Sequence, residues 1–303
     1  MATRKEGFGL DVGDLFEPAL QKYGIWPITV WPLDCRDKTT QTLKKMIGDV
    51  GQERADSFEE GAGEKKGIYG GLSNKQASVF NPATAAHILN MYAPKQGICF
   101  DPFAGGGTRA IMAAKHGLIY AGCEIRGEEV DAVYQRCKSN GIIEDQVILW
   151  HKDAREACTV WDKYAEGGAP LFTEGADFCY TCPPYWTLEQ YDGGTNDLSM
   201  MDDYPTFCRA LYKVVQETYD ILKPGAYSVW VVGLTRKPDG GLVCMHHDVA
   251  KMHRKAGFIH REEAILHLKN NGSIQRVGTF ERGNRLLIRV HEYVLVFKKP
   301  EEK

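Results

Sequence analysis

Residues 97–116 read GICFDPFAGGGTRAIMAAKH and change character twice along their length. They begin with a short apolar run at 97–100, bend through three consecutive glycines, and end in a stretch with helical spacing at 108–116. A strand, a tight bend and a helix in this order form the repeating unit of an α/β fold. Glycines at such a bend let the backbone approach a ligand where any Cβ would collide. The segment therefore predicts a ligand-binding turn at the end of a parallel strand.

The same alternation continues to the C-terminus. Apolar runs typical of buried strands lie at 97–100, 118–123, 147–150, 177–181, 227–232, 264–268 and 292–298. Helical stretches lie at 84–92, 108–116, 128–139, 204–222 and 247–256. This order predicts an α/β protein with a doubly wound, mostly parallel, Rossmann-like sheet. Ligands of such sheets bind beyond the carboxyl ends of the strands, so we expect the functional residues there.

Before this alternation the sequence has a different composition. The chain of 303 residues suits one large domain with a modest appendage. Residues 38–50 have the spacing of a helix, whereas residues 51–71 are rich in Gly, Glu and Lys and predict a loop that is mobile without a ligand. We therefore expect an N-terminal appendage at 1–75 and the main domain at 76–303.

The composition argues against several classes of protein. The N-terminus has no apolar core of a signal peptide, and no apolar run approaches about 18 residues, so we expect neither secretion nor a membrane span. The nine cysteines show no spacing typical of a disulfide framework or a zinc site, which favours reduced thiols in a cytoplasm and no metal. The net charge of −3 gives no sign of nucleic acid, but basic residues outnumber acidic ones at 251–299.

Acidic residues follow three of the predicted strands. A carboxylate at Asp101, directly before the glycines, suits a cationic ligand better than a pyrophosphate, because two anions repel each other. S-adenosylmethionine carries an ammonium group and a sulfonium and fits this requirement. Glu124, at the end of the next strand, can accept hydrogen bonds from both ribose hydroxyls, and Asp153 can accept from the adenine amino group. Together they predict a site for S-adenosylmethionine.

A second motif ends the strand at 177–181. There the sequence DFCYTCPPYW, residues 177–186, stops abruptly in Cys182-Pro183-Pro184-Tyr185. Two prolines fix the backbone and remove two N–H donors, which leaves carbonyl oxygens as acceptors. Fixed acceptors beside an aromatic ring suit a flat base that carries an NH₂ group.

These segments resemble the motifs of a known family. The segment at 182–185 resembles motif IV of the DNA amino-methyltransferases, DPFAGGGT at 101–108 resembles their motif I, and SVFNP at 78–82 resembles their motif X. The Thr-Cys-Pro-Pro-Tyr form, with LKPG at 222–225 and HEYVLVFKK at 291–299, is similar to a group of bacteriophage enzymes. The resemblance implies the fold of class I S-adenosylmethionine-dependent methyltransferases. It also implies a cofactor site formed by Ser78, Phe80, Asp101, Phe103, Ala104, Gly105, Gly107, Thr108, Glu124, Ile125, Asp153 and Ala154.

The resemblance further implies transfer of a methyl group to the exocyclic amine of a base flipped out of double-stranded DNA, with Cys182, Pro183, Pro184 and Tyr185 as catalytic residues. Cys182 departs from the usual acid or serine. Because a neutral thiol is closer to serine than to aspartate, the sequence slightly favours cytosine N4 over adenine N6. An alternative is that Cys182 acts as the nucleophile of a pyrimidine carbon-5 modification.

The sequence contains no recognisable code for the residues that recognise the base. They could lie at 1–75, at 187–202 or at 269–289, and the weaker candidates are Trp186, Tyr191, Arg276, Arg282 and Arg285. Two further alternatives stay open: a methyltransferase that acts on RNA or on a protein amide, and an inactive relative that only binds nucleic acid. The leading hypothesis is a DNA methyltransferase of a bacterial or phage-infected cytoplasm, with a role in restriction-modification.

Overall fold

The computed structural model describes residues 27–34, 38–47, 80–186, 188, 191, 193–237, 239–269 and 285–302. The strands are β1 Val30–Asp34, β2 Ile98–Asp101, β3 Ile119–Glu124, β4 Val147–His151, β5 Ala176–Thr181, β6 Leu222–Val232, β7 Thr235–Arg236, β8 Leu242–Val243, β9 Ile259–Lys269 and β10 His291–Lys298. The α-helices are α1 Lys38–Ile47, α2 Pro82–Tyr92, α3 Thr108–His116, α4 Gly127–Ser139, α5 Ala157–Glu166, α6 Tyr204–Ile221 and α7 Met245–Ala256. None of these described helices is long and apolar enough to cross a membrane.

Eight strands form one sheet in the order β1-β9-β10-β6-β5-β2-β3-β4. The five strands from β6 to β4 pair in parallel. Strand β10 runs antiparallel to both of its neighbours, β6 and β9. β7 and β8 form a separate small hairpin. The doubly wound, mostly parallel sheet predicted from the alternation of strands and helices is confirmed.

Alternate side chains of the central strands enter two separate core layers. On β5, Phe178 and Tyr180 pack into the layer that contains Ile88 of α2 and Val133 of α4. Cys179 of the same strand packs into the opposite layer, with residues of α5, α6 and α7. A strand buried on both faces needs apolar residues at every position, which is why these segments read as continuous apolar runs.

The N-terminal residues that the structure describes pack on this sheet. β1 pairs in parallel with β9 at the sheet edge, and Trp31 and Leu33 enter the first core layer. The predicted helix at 38–50 is observed as α1, Lys38–Ile47. The predicted boundary near residue 75 and the predicted loop at 51–71 lie outside the described residues, so the division into an appendage and a main domain stays a prediction.

Strands β1, β7 and β8 were not predicted from the sequence, and β6 begins at Leu222 rather than at 227. Two further elements also differ from the prediction. Helix α5, Ala157–Glu166, was not predicted, since Ala157 and Trp161 are its buried positions and give only a weak apolar stripe. β9 begins at Ile259 rather than at 264, because residues 259–263 are mostly exposed and polar yet still pair with β10. In both cases contacts with neighbouring helices and strands, and not the local sequence pattern, determine where the element forms.

The bend before α3 depends on Gly107. This residue precedes the helix at a φ of +84°, in the left-handed region that favours glycine. A Cβ built there would lie 2.8 Å from Cγ1 of Val133 on α4. The bend is therefore restricted both by backbone conformation and by the helix that packs behind it.

We predict that Gly107→Ala lowers the free energy of unfolding by roughly 2–5 kcal/mol, because left-handed backbone strain and overpacking act together. Gly141→Ala is the matched control, since Gly141 has a φ of +70° and no described atom within 4 Å of a built Cβ. That control should lose only the strain contribution, about 1–2 kcal/mol. Urea denaturation measures both variants, and equal losses would contradict the account of the bend.

Candidate active site

The two loops singled out in the sequence leave neighbouring strands at the same edge of the sheet. β2 and β5 are adjacent and parallel, with Cys99 opposite Phe178 and Phe100 opposite Cys179. The glycine loop follows β2 and the Pro-Pro loop follows β5, so both open into one cavity. The cavity is lined by Phe80, Pro102, Phe103, Gly105, Arg109, Cys123, Glu124, Ile125, Arg126, Lys152, Asp153, Ala154, Cys182, Pro183, Pro184, Tyr185, Tyr191, Asp197 and Leu198.

Most of the predicted cofactor residues line this cavity, and four others are buried. Phe80, Phe103, Gly105, Glu124, Ile125, Asp153 and Ala154 are on its surface. Asp101, Ala104, Gly107 and Thr108 are buried beneath it. Ser78 lies outside the described residues.

Asp101 does not face the cavity as expected for a carboxylate that meets a cationic ligand. It is fully buried, and Nε of Arg109 donates to its Oδ2 at 2.6 Å. The hydroxyl of Tyr120 donates to Oδ2 at 2.7 Å, and that of Thr181 donates to Oδ1 at 2.6 Å. The backbone N–H of Phe103 also donates to Oδ1 at 3.0 Å. Asp101 therefore holds the glycine loop against the end of β5.

Arg109 brings a positive charge to the cavity surface. Its guanidinium donates to the carbonyl oxygen of Phe103 and lies 5.1 Å from the ring centre of Phe80. Burial disfavours the charge, but the carboxylate of Asp101 and the neighbouring Tyr120, Cys182 and Tyr180 together outweigh it and hold the pKa of Arg109 above its usual value. The residue is only 6% exposed, although a position on a helix after a loop suggests a solvated arginine. The sequence did not identify Arg109 as a buried cation. Its partner Asp101 lies on the other side of the glycine loop, and the sequence does not show that the two side chains meet.

Glu124 joins the glycine loop to the neighbouring strand end. Its Oε2 accepts from the backbone N–H of Gly105 at 2.9 Å, and its Oε1 accepts from that of Arg126 at 3.0 Å. These bonds fix the carboxylate on the cavity surface.

Asp153 is engaged more fully than the sequence suggested. Both of its carboxylate oxygens lie 3.0 Å from Nε of Arg155, and Oδ1 also accepts from the backbone N–H of Arg155. Arg155 in turn donates to the carbonyl oxygen of Asn196 at 3.1 Å. The ion pair thus connects the end of β4 to the segment after the Pro-Pro loop, while Asp153 still lines the cavity.

The Pro-Pro loop presents a chain of polar groups. Sγ of Cys182 lies 3.1 Å from the hydroxyl oxygen of Tyr185, and this hydroxyl donates to Oε1 of Glu292 at 3.3 Å. The Tyr185 ring packs against the backbone of Gly233, where a Cβ would lie 2.5 Å from the ring. Glu292 is a residue that sequence reasoning missed. Its only signal is its place in the HEYVLVFKK segment, which carries part of the family resemblance.

The weaker substrate-binding candidates fall into four groups. Tyr191 lines the cavity. Trp186 is 6% exposed and donates its indole N–H to the carbonyl oxygen of Met201 at 2.9 Å, so it anchors the loop in the core. Arg285 is exposed and is not among the cavity residues. Arg276 and Arg282 lie outside the described residues.

No group of three or more His, Cys, Asp or Glu side chains within the described ranges is arranged to hold a metal ion. The eight cysteines in those ranges are free thiols. The polar side chains on the cavity surface are carboxylates, thiols, phenols and basic side chains.

Comparisons with known proteins give a family and several similar folds. A family model described as DNA methylase matches residues 11–135 and 176–303. No curated protein matches the sequence significantly. Among solved structures, the cyclase SpnF is 13% identical, with a TM-score of 0.50 over 91% of this chain and 100% of SpnF.

Two further structures match less of the fold. TrmN from Thermus thermophilus is 14% identical, with a TM-score of 0.46 over 73% of this chain and 49% of TrmN. A candidate DNA modification methylase, also from Thermus thermophilus, is 25% identical, with a TM-score of 0.33 over 48% of this chain and 52% of that protein. The chain thus matches about half the length of each of these two proteins.

The contacts of Asp101 generate a prediction about stability. Asp101→Asn should lower the free energy of unfolding by about 3–5 kcal/mol, because it leaves the charge of Arg109 buried without its partner. Arg109→Met should also destabilise, and the double variant should lose less than the sum of the two single losses. Guanidinium denaturation measures this cycle.

Lys152→Met is the control for this cycle, since Lys152 and Glu156 are about half exposed and their charged atoms lie 4.0 Å apart. It should change stability by less than about 1 kcal/mol. Additive losses for Asp101→Asn and Arg109→Met would contradict the buried pair as the support of the loop.

Proposed function

This chain belongs to the DNA methylase family, and on that premise we propose that it transfers a methyl group from S-adenosylmethionine to the exocyclic amine of a DNA base. Its fold is the Rossmann-like fold of class I S-adenosylmethionine-dependent methyltransferases, and its cofactor is S-adenosylmethionine. The observation that carries the proposal is the shared cavity, since the glycine loop and the Pro-Pro loop line the same space.

The residues of the glycine loop fit the cofactor. Gly105 lines the cavity, and a Cβ built there would lie in ordinary van der Waals contact, 3.8 Å from the carbonyl oxygen of Phe103 and 3.9 Å from the guanidinium of Arg109. The fixed carboxylate of Glu124 is suited to the ribose hydroxyls, with Ile125, Asp153 and Ala154 at the adenine end. Bound there, S-adenosylmethionine supplies an electrophilic methyl group on a sulfonium.

We assign the methionine end of the cofactor to Phe80 and Arg109. Arg109 carries the charge that suits a carboxylate, and Phe80 covers its guanidinium. Asp101 acts on this end indirectly, by fixing Arg109 and the loop. The cation that the sequence led us to expect opposite Asp101 is thus supplied by the protein itself.

The Pro-Pro loop is suited to activate an aromatic amine. Such an amine is a poor nucleophile, because its lone pair is delocalised into the ring. Hydrogen bonds from its two N–H groups, one to the Pro183 carbonyl and one to residue 182, localise that pair on nitrogen. Tyr185 stacks on the flipped base, a contact worth roughly 1–3 kcal/mol. Holding amine and methyl at about 3–3.5 Å supplies much of the acceleration by positioning.

The substrate we favour is double-stranded DNA, with cytosine N4 slightly preferred over adenine N6. Base flipping is required, because an exocyclic amine inside a duplex cannot reach a buried methyl donor. Arg126 and Lys152 line the cavity, where Arg126 is paired with Glu128 and Glu129 and Lys152 lies 4.0 Å from Glu156. Base-reading residues then lie at 1–75, at 187–202 or at 269–289. We assign the protein to the cytoplasm of a bacterial or phage-infected cell, in a restriction-modification role.

Expression in a host without DNA methylation tests this proposal. Genomic DNA should acquire N4-methylcytosine within a defined sequence, detected by modification-sensitive single-molecule sequencing and confirmed by mass spectrometry of the nucleosides. N6-methyladenine would support the amine chemistry and reject the preference for cytosine. Methyl label in RNA or protein, with none in DNA, would contradict the proposed substrate.

Variants of Cys182 separate amine chemistry from carbon-5 methylation in the same assay. Under amine chemistry Cys182→Ser should retain activity within about tenfold of the wild type, because the hydroxyl is also an acceptor. A covalent mechanism predicts no turnover for either Cys182→Ser or Cys182→Ala, together with 5-methylcytosine in wild-type product. Cys208→Ser, on α6 and away from the cavity, is the matched control.

A further inference from the structure

Three polar side chains from two distant parts of the sequence are linked in a row. Cys182 and Tyr185 belong to the Pro-Pro loop after β5, whereas Glu292 is at the start of β10, 107 residues beyond Tyr185. β10 is antiparallel, and Tyr293 pairs with Val232 at the end of β6. Its first residues therefore lie at the sheet edge where the parallel strands end. This topology brings Glu292 beneath the proposed base-binding loop.

The direction of the hydrogen bonds follows from the chemistry of the groups. An ionised carboxylate can only accept, so the Tyr185 hydroxyl donates its proton to Glu292. The hydroxyl oxygen is then left with lone pairs only. At 3.1 Å from this oxygen, the Cys182 thiol is the group that donates, S–H to O.

We propose that Glu292 is a positioning residue that acts through the Tyr185 hydroxyl to aim the Cys182 thiol proton away from the base, leaving the sulfur lone pairs toward the amine. The inference rests on the proposed function, since it names how Cys182 serves as an acceptor in amine chemistry. It also explains how a cysteine at position 182 can replace the acid or serine that this motif usually carries. Sulfur is a weak acceptor, and a thiol free to rotate would often present its proton to an N–H donor instead.

Packing restricts Tyr185 to this arrangement. The ring lies against the backbone of Gly233, where a Cβ would come within 2.5 Å of it. A ring held in this way cannot swing its hydroxyl far from Glu292. The position of the Tyr185 hydroxyl is thus determined by the Gly233 backbone, against which the ring packs, and by the Glu292 carboxylate, which accepts its hydrogen bond.

The experiment measures alkylation of Cys182 by iodoacetamide in the protein alone, at fixed pH, by mass spectrometry of the peptide that contains Cys182. In Glu292→Gln the carboxylate charge is removed, and the amide that replaces it is a weaker acceptor that can also donate to the Tyr185 oxygen, so the hydroxyl can turn its proton toward a Cys182 thiolate. The thiolate fraction rises, and alkylation should accelerate at least about threefold. In the Tyr185→Phe background the same Glu292 substitution should change the rate by much less, because the linking hydroxyl is absent.

Steady-state methylation of DNA provides the second readout. Glu292→Gln should lower kcat by about tenfold or more, with the KM for S-adenosylmethionine within about twofold of the wild type. Glu263→Gln, an exposed glutamate on the neighbouring β9, is the matched control and should change neither quantity. Tyr185→Phe keeps the ring that packs on Gly233, so it provides a test if Glu292→Gln fails to fold.

Equal alkylation rates in wild type and Glu292→Gln would overturn the proposal, as would an acceleration that persists in the Tyr185→Phe background. An unchanged kcat in Glu292→Gln would overturn it as well. Failure of the proposed function is a different result: wild-type protein that methylates no DNA while the alkylation differences remain would reject DNA methylation and still support the orientation of the thiol.

Discussion

The structure of the site depends on one buried charge pair. Asp101 ends β2, lies out of contact with solvent, and binds Arg109 at 2.6 Å. Through Thr181, the same carboxylate reaches the end of β5, 80 residues later in the chain. A carboxylate in this position is stable only with a matched cation and hydrogen bonds to its remaining lone pairs, and both are present. The pair therefore fixes the glycine loop, sets the distance between the two motif loops and brings a positive charge to the cavity surface.

Much of this architecture could be predicted from the sequence. Buried parallel strands read as apolar runs, and their alternation with helical stretches identified the doubly wound sheet. Because parallel strands end at one edge, Glu124 and the Cys182 loop could be expected in the same cavity before any coordinates. The helix α5 and the true start of β9 were missed, because their formation depends on neighbours in the sheet and on the opposite layer rather than on local periodicity.

The contacts at the site that the sequence did not reveal have one physical origin. Asp101 was expected to meet a cationic ligand, and Arg109 was not expected in the cavity, since a single sequence does not reveal that the two side chains meet behind the loop. Glu292 was missed for a related reason. An antiparallel strand brings its first residues beside the Pro-Pro loop, and the order of strands cannot be read from spacing. The motifs therefore predicted which chemical groups the site contains. The order of the strands determines which further groups orient them.

The central claim is that one cavity holds the methyl donor against the glycine loop and the base amine against the Pro-Pro loop. The most direct measurement is a crystal structure of the protein with sinefungin, a stable analogue of the cofactor, and duplex DNA that contains the methylated sequence. The account predicts the sugar hydroxyls at Glu124 and the carboxylate at Arg109. It also predicts an extruded base on Tyr185, with its amine about 3–4 Å from the group that replaces the methyl. An analogue bound elsewhere, or a base that enters from the opposite face of the sheet, would contradict it.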